Sequence, residues 1–360
     1  MDTHTKHPRT NDPRLGLFVL LASVAACGGP KGGLGGEAMG SSDTTSSETD
    51  VTADGSGSLD DATETGALDE TGALDETGAD GDTDDAPVAV PCSPEAPFGR
   101  PVMVPGLGQA QFESNASLSA DQRTIYYTAR NDGQVSVVQR ATRAEPGEAF
   151  GAPSTVFGDD YGGLPNAFDV SMSGDGRTMA IVHFSNITRI SVATRPDLVS
   201  PWSSPQELPG GGGVFSPHLS EDGQTLFHHS QTPSVPDEMD DQQLMQVDLT
   251  DWPGPPVPIE ELNTFADEGS PVLSADQLQL YWASERTDLG GEGSDLYIAS
   301  RASASDSFEV VRRIDELSTE LEESPDWVSP DACQLYFSRA QGDASTGATT
   351  MWVATRPPSS

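Results

Sequence analysis

One sequence pattern recurs five times between Phe98 and the C-terminus, and it constrains the fold more than any other feature of the chain. Its clearest copy reads Ser270–Asp276 (SPVLSAD), then Leu280–Trp282 (LYW), then Asp295–Arg301 (DLYIASR). Successive copies start roughly 50 residues apart, and self-similarity at such a period is typical of repeat architectures. The pattern therefore predicts five equivalent structural units.

Each unit opens with a run that begins at an aromatic residue and often contains proline. Proline lacks the N–H that a central strand must donate, so it is confined to edge strands and bulges. We therefore expect these runs to lie at the periphery of each unit. They are Phe98–Pro101, Phe150–Pro153, Trp202–Pro205, Trp252–Pro255 and Phe308–Val311.

A short second run follows and ends in a turn. The turn carries an aspartate whose carboxylate can accept hydrogen bonds from nearby backbone N–H groups, and in two copies a glycine follows it. The inner runs are Ala116–Ser119, Val170–Ser173, Pro217–Ser220, Pro271–Ser274 and Asp326–Ser329. The turn aspartates are Asp121, Asp175, Asp222, Asp276 and Asp331.

Two more strand-like runs complete each unit. The third is rich in aromatic and β-branched residues, as in Ile125–Tyr127 and Leu335–Phe337, and the fourth often closes in Ala-x-Arg, as in Ala354–Arg356. Four strands in meander order form one blade of a β-propeller. The sequence thus predicts an all-β fold of five four-stranded blades. A sixth, degenerate blade is the alternative, although no run of residues is left to build it.

The order of the runs also predicts how the ring closes. The chain enters the repeats at an outer run and leaves them at Met351–Val353, the third strand counted from the axis. The last blade then lacks its own outer strand. We expect the first run, at Phe98, to supply it and so to join the two ends of the repeat region.

These patterns resemble the TolB-like (WD40-like) propeller repeat of bacterial envelope proteins. The resemblance covers about residues 98 to 356, is strongest for Glu268–Arg301 and Glu323–Ala340, and is weakest for Phe168–Phe184. A family defined by its fold carries many functions, so the resemblance implies no catalytic residues. It implies an exported envelope protein that meets a protein or an envelope polymer.

Two cysteines flank the predicted closure. Cys92 precedes the first outer run and Cys333 lies in the turn of the last copy, so closure would bring them into one blade. An oxidising envelope permits a disulfide. We predict Cys92–Cys333, which closes a loop of roughly 240 residues and restricts the unfolded chain. The alternative is two unpaired thiols.

The N-terminus, residues 1–26, has the form of an export signal. Basic residues precede the apolar stretch Leu15–Ala26, which is too short for a transmembrane helix of roughly 20 residues. It runs directly into Cys27, a junction that resembles a bacterial lipobox and implies lipidation of that cysteine. The residue after this cysteine is Gly28 rather than Asp, which resembles lipoproteins of Gram-negative bacteria that are sorted to the outer membrane. The alternative is an ordinary signal peptide cut after Ala26. We expect the lipid to be the only membrane attachment.

The composition of residues 27–91 predicts that they form a disordered tether ahead of the propeller domain at 92–360. Residues 28–91 contain sixteen acidic residues, one basic residue and no aromatics. Such a composition cannot offset chain entropy by burying apolar surface. The repeat Glu64–Asp69 and Glu70–Asp75 lacks the dense ligand spacing of calcium loops, so a self-repelling spacer is the favoured interpretation.

The charge of the chain restricts its partners. With 57 acidic against 18 basic residues, the formal net charge is −39. Such a surface repels nucleic acid and anionic headgroups, so we expect neither as a partner. We expect a monomer that needs no cofactor.

Candidate chemistry in the repeats is sparse. Of His183, His218, His228 and His229, the adjacent pair points to opposite faces of a strand, so three converging ligands for zinc are not predicted. His228 takes a position that is aromatic in other copies and is expected to pack between blades. Glu113, Glu268 and Glu323 precede inner runs. They form a candidate acidic ring at the channel mouth, although local capping is the favoured interpretation.

Two functions remain after these exclusions. The favoured one is a non-enzymatic, lipid-anchored binding or scaffold protein. The other is an envelope hydrolase or lyase directed at glycans, which would need carboxylates converging in the central channel. A channel plugged by apolar side chains favours the first function, and a cleft with paired carboxylates of raised pKa favours the second.

Overall fold

The computed structural model describes residues 92–359 except 132–133, 157–163, 165, 211, 232–241, 251–253, 292 and 343–346. The predicted signal peptide, Cys27 and the predicted tether lie outside these residues. In the described part of the chain, no helix is long and apolar enough to cross a membrane.

Within this described part, twenty strands form five four-stranded antiparallel sheets, which confirms the predicted five-bladed propeller. Blades 1 and 2 contain β2 (Phe112–Leu118), β3 (Thr124–Arg130), β4 (Val137–Thr142), β5 (Ser154–Thr155), β6 (Ala167–Met172), β7 (Thr178–Phe184), β8 (Thr188–Thr194) and β9 (Gln206–Glu207). Blades 3 and 4 contain β10 (Val214–Leu219), β11 (Thr225–Gln231), β12 (Gln242–Asp248), β13 (Val257–Pro258), β14 (Glu268–Leu273), β15 (Gln279–Ser284), β16 (Asp295–Ser300) and β17 (Glu309–Arg313). Blade 5 contains β18 (Glu323–Val328), β19 (Gln334–Ala340), β20 (Thr349–Thr355) and the outer strand β1 (Val102–Met103).

The ring closes as predicted, through the first strand. β1 pairs antiparallel with β20, with Val102 opposite Val353 and Met103 opposite Trp352. Just before β1, Cys92 and Cys333 form a disulfide with their Cα atoms 5.7 Å apart. The start and the end of the repeat region therefore belong to one sheet.

The outer strands differ from their predicted bounds. Four of the five contain only two paired residues, and each begins after the run's aromatic residue rather than at it. In blade 5, for example, Phe98 lies four residues before β1, and Pro101 lies between them. The physical reason is that proline offers no N–H for the ladder, so pairing starts beyond it.

The aromatic residues instead pack under the arginines that close the third strands. Each arginine of the Ala-x-Arg motif lies over the aromatic ring that opens the outer run of its own blade, and three of the four donate through Nε to the carbonyl of a turn residue. The pairs are Arg143–Phe150, Arg195–Trp202, Arg301–Phe308 and Arg356–Phe98, with guanidinium-to-centroid distances of 4.4, 4.3, 4.4 and 4.2 Å. We call each pair a staple.

The Ser-x-Asp motif builds the same turn in every blade. In blade 4, Asp276 Oδ1 accepts hydrogen bonds from Ser274 Oγ at 2.6 Å and from the Leu278 amide at 3.0 Å. The residue after each turn aspartate has positive φ, from 54° to 68°, which costs glycine least. Glycine takes this place in blades 2 and 3, as Gly176 and Gly223.

Every inner strand carries a register shift against its neighbour. In four blades the shift places a polar residue in the left-handed region, with φ between 46° and 52°. These residues are Asn115, Asp169, Ser216 and Ser270. In blade 5 this place belongs to Pro325, whose ring forbids positive φ, and Asp326 follows it. The bulges turn these polar residues toward the propeller axis.

Candidate functional site

A small cavity lies at the axis, where the five inner strands meet. Its lining includes the polar residues Asn115, Asp169, Ser216, Ser270 and Asp326, together with His218. The cavity has room for about one water molecule. Apolar residues, among them Val170, Pro217 and Val272, complete the lining, so the space between the inner strands here is narrow and its wall is mixed in polarity.

Asn115 holds the polar groups together. Its side-chain Nδ2 donates to Asp169 Oδ1 at 2.8 Å, and its backbone N–H donates to Asp326 Oδ1 at 2.7 Å. Its Oδ1 accepts from the Ser216 hydroxyl at 3.2 Å, and Ser270 Oγ lies 3.4 Å from Ser216 Oγ. One residue of blade 1 thus contacts blades 2, 3 and 5. We call these five residues the axial ring.

Asp169 is almost fully buried, at 4% exposure, and its carboxylate is well supplied with donors. Thr128 Oγ1 donates to Oδ1 at 2.8 Å and accepts from the Asp169 amide at 2.8 Å. The Ser216 amide also donates to this carboxylate. Burial nevertheless raises the pKa of Asp169 to about 6, because desolvation of the charge outweighs these hydrogen bonds.

Asp326 is 6% exposed and less completely bonded. Its Oδ1 accepts from the Asn115 amide and from Ser338 Oγ, which lies 3.3 Å away. Its Oδ2 accepts no hydrogen bond of good geometry from any described residue. The backbone N–H of Ala116 lies near the carboxyl group and lowers the pKa of Asp326. Burial, with the charge of Asp169 as a smaller contribution, raises the pKa of Asp326 to about 8.

His228 and His229 are buried, His218 is partly buried, and all three are neutral near pH 7. Burial lowers the pKa of His218 and His228 to about 4 and that of His229 to about 3. His229 stacks on Phe215 at 5.5 Å, and its Nδ1 accepts from the Ser270 amide at 3.2 Å. His218 Nε2 lies 3.2 Å from the Leu273 carbonyl. The His218 and His229 rings of blade 3 therefore contact backbone polar groups of blade 4.

His228 is buried at 1% exposure, as its aromatic position suggested. His183 is buried as well and lies 3.1 Å from Ser191 Oγ through its Nε2. Within the described ranges, no group of three or more His, Cys, Asp or Glu side chains is arranged to hold a metal ion.

The predicted channel-mouth acids lie elsewhere. Glu113, Glu268 and Glu323 are completely buried, and the lining of the axial cavity does not include them. Each carboxylate caps the loop that precedes its own strand. Glu113 accepts from the amides of residues 108–110, and Glu268 and Glu323 accept from the amides and hydroxyls of Thr264 and Thr319. These contacts agree with the capping interpretation.

Burial raises the pKa of all three glutamates, that of Glu268 to about 7. Glu323 also pairs with Arg339 Nε at 2.8 Å. These carboxylates fix the loops between one blade's outer strand and the next blade's inner strand.

Sequence reasoning missed the axial ring. A signal was present, because Asn115 and Asp169 occupy the place of the serine in the SP pairs Ser216–Pro217 and Ser270–Pro271. Asp326 occupies the place of the proline itself. Substitution of a repeat position by Asn or Asp in three blades marks the site, but only the bulges show that these positions meet.

No protein-family model matches this sequence, and no curated protein matches it either. Among solved structures, the chain is similar to a putative TolB from Agrobacterium tumefaciens, with 14% identity, TM-score 0.43, and coverage of 69% of this chain and 91% of that one.

It is also similar to TolB from Acinetobacter baumannii, with 17% identity and TM-score 0.43 over 68% of this chain and 54% of that one, so it spans about half of that protein. A thermostable family-43 glycoside hydrolase has 12% identity and TM-score 0.46 over 72% of this chain and 98% of that one.

Proposed function

We propose that this chain is a lipid-anchored envelope binding or scaffold protein that presents its propeller to a protein or an envelope polymer. The observation that carries the proposal is the narrow axis. The axial ring leaves room for about one water molecule, which is too little for a sugar ring or a peptide between the inner strands. A partner therefore contacts the loop faces or the rim.

The two loop faces are distinct. The antiparallel meander places the outer-to-inner connections and the loops between second and third strands on one face, which we call the top face. Phe265, fully exposed, lies on the top face. Val199, at 94% exposure, lies on the opposite, bottom face, between β8 and β9. The net charge of −39 favours a partner surface with positive charge.

A site-specific crosslinking experiment tests the binding function. A photo-reactive residue replaces Phe265 in one variant of the full chain and Val199 in a matched variant, and both are activated in the cell envelope. A binding protein is expected to give one discrete adduct from one face and none from the other. Absence of discrete adducts from both faces, and from Val310 on the rim, would contradict the proposal.

The anchor is a separate part of the proposal. Its support is the apolar stretch that ends at Cys27 and the acidic tether that follows. Cell fractionation with mass spectrometry of the mature N-terminus tests it. Cys27 is expected to carry acyl chains and to place the protein in the outer membrane, and Cys27→Ser is expected to move it to the soluble fraction. An unmodified N-terminus would contradict lipidation.

A glycan hydrolase or lyase is the second candidate, and one observation favours it. Asp326, with its pKa raised to about 8, is protonated at neutral pH, the state that a general acid requires, and Asp169 lies in the same cavity, which would have to widen to admit a sugar. Assays for glycan cleavage by the full chain and by Asp326→Asn test this function. Cleavage by the wild type that is lost in the variant would replace the binding proposal.

A further inference from the structure

The proposed function does not use the free oxygen of Asp326. This carboxyl group is more than nine-tenths buried and lines the axial cavity, yet its Oδ2 accepts no hydrogen bond from the described residues. Buried polar atoms in native proteins almost always have a partner, which can be an ordered water or an ion. The free oxygen therefore points to a small ligand in the cavity.

The groups around the cavity define which ligand fits. They are oxygens: the carboxylates of Asp169 and Asp326, the amide Oδ1 of Asn115, and the hydroxyls of Ser216 and Ser270. No arginine or lysine in the described ranges forms an ion pair with either carboxylate. Carboxylate, amide and hydroxyl oxygens suit hard cations, whereas transition metals prefer imidazole and thiolate.

We propose that the axial cavity binds one hard cation, Ca²⁺ or Na⁺, with Asp326 Oδ2 as its principal ligand and the other oxygens of the axial ring around it. The size of the cavity supports this class. Mg²⁺ usually keeps several water molecules, and the cavity has room for about one. Burial favours the protonated form of Asp326 at neutral pH, so binding of the ion would release that proton, and the ion would supply the counter-charge that both carboxylates lack.

The position of the ion gives it a structural consequence. Asp169 lies on β6 and Asp326 on β18, so an ion between them would link blades 2 and 5 across the axis, with Asn115 of blade 1 beside it. Ligands that bind only the folded state stabilise it by mass action. Cation binding is therefore expected to stabilise the closed ring as a whole.

Thermal unfolding of the full chain tests the proposal. The protein is treated with chelator and desalted, and the melting temperature is measured with Ca²⁺, Mg²⁺, Na⁺ or choline chloride at equal ionic strength. At about 100 times its dissociation constant, the bound cation is expected to raise the midpoint by about 5 °C. Choline is expected to give no such increase, and the comparison of Ca²⁺ with Na⁺ identifies the ion.

Two variants separate the cavity from the acidic tether, which also attracts cations. Asp326→Asn keeps Oδ1 as an acceptor and replaces Oδ2, and it is expected to abolish the specific increase. Glu113→Gln alters a buried carboxylate outside the cavity, and this variant is expected to keep the cation-dependent increase in melting temperature. Ser270→Ala, a smaller change, is expected to weaken cation binding several-fold by calorimetry if Asp326→Asn does not fold.

The proposal fails if no metal cation raises the midpoint above that in choline. It also fails if Asp326→Asn and Ser270→Ala retain the full increase, because the ion would then bind outside the axial ring. Neither result would bear on the binding function, which the crosslinking experiment tests independently.

Discussion

At the scale of single residues, His228 shows how a repeat position tolerates an exception. Blades 1, 4 and 5 have Tyr127, Trp282 and Phe337 at the place that His228 occupies in blade 3. The imidazole is buried at 1% exposure, and its Nε2 has no partner among the described residues. Unfolded histidine binds a proton near pH 6.5, but burial holds the pKa of His228 at about 4.

The lowered pKa predicts a pH-dependent effect of His228→Phe. As the pH falls from 6.5 toward 4, the unfolded chain takes up a proton at this histidine and the folded chain does not, so the wild type loses stability. Urea unfolding at pH 7.5 and pH 5 measures the difference. The variant is expected to gain about 2 kcal/mol relative to the wild type between these two pH values.

Tyr127→Phe is the matched control, since it changes the equivalent position of blade 1 and removes no group that titrates in this range. Its stability relative to the wild type is expected to be the same at both pH values. Titration of the other buried acids and histidines occurs in all three proteins and cancels in the comparison. Equal effects of His228→Phe at pH 7.5 and pH 5 would show that His228 is not buried in its neutral form.

At the scale of the strand elements, the staples explain why each third strand closes in arginine. Arg301 lies over Phe308 at 4.4 Å and donates through Nε to the Gln277 carbonyl at 2.7 Å, so it fixes the turn, the third strand and the start of the outer run together. In blade 3, Leu249 occupies the place of the arginine, because its backbone N–H donates a hydrogen bond to the Gln224 carbonyl as the arginine amides do in the other blades.

Arg301→Lys is expected to destabilise the protein by about 1–2 kcal/mol, because lysine lacks the planar group that stacks and the Nε donor. Arg140→Lys is the control, since Arg140 is exposed and lies farther from its ring, at 6.0 Å from that of Tyr126. A double-mutant cycle of Arg301→Lys with Phe308→Leu measures the stacking energy, expected at about 0.5–1 kcal/mol. If the two lysine variants are equally stable, the staple does not stabilise the fold.

At the scale of the whole molecule, stability depends on how the ring is joined. The connection consists of the β1–β20 pairing, the disulfide, and Arg356, which is buried and donates to the carbonyls of Pro94 and Ala96 and to the Tyr281 hydroxyl. Residues 92–104 thus contact both blade 5 and blade 4. Loss of these contacts would leave β20 as an exposed edge.

The double substitution Cys92→Ser and Cys333→Ser is expected to lower the free energy of unfolding by about 2–5 kcal/mol, because the crosslink spans a long segment of the unfolded chain. Hydrogen exchange locates the effect. The Gly99 and Val104 amides, which donate to Thr355 and Met351, are expected to lose protection first. Wild-type protein with reductant is the control and is expected to match the variant. Unchanged protection at Gly99 and Val104 would contradict this role.

The sequence alone determined the strand content and the mode of closure and favoured five blades over six, because each depends on local signals repeated five times. Alternation, prolines at edge runs and Ser-x-Asp turns act within a few residues of each other, so they can be read from one copy and checked against the rest. The placement of Cys92 and Cys333 followed from the same closure.

Only the tertiary structure decided what meets at the axis. Asp169 and Asp326 lie 54 and 211 positions after Asn115 in the chain. Both nevertheless lie within hydrogen-bond distance of Asn115, because bulges turn each inner strand inward. Likewise, the glutamates at the strand starts cap loops instead of forming a ring, since side-chain direction depends on the local backbone. Burial then sets the pKa of each carboxylate, and burial is a property of the folded chain that no local pattern records.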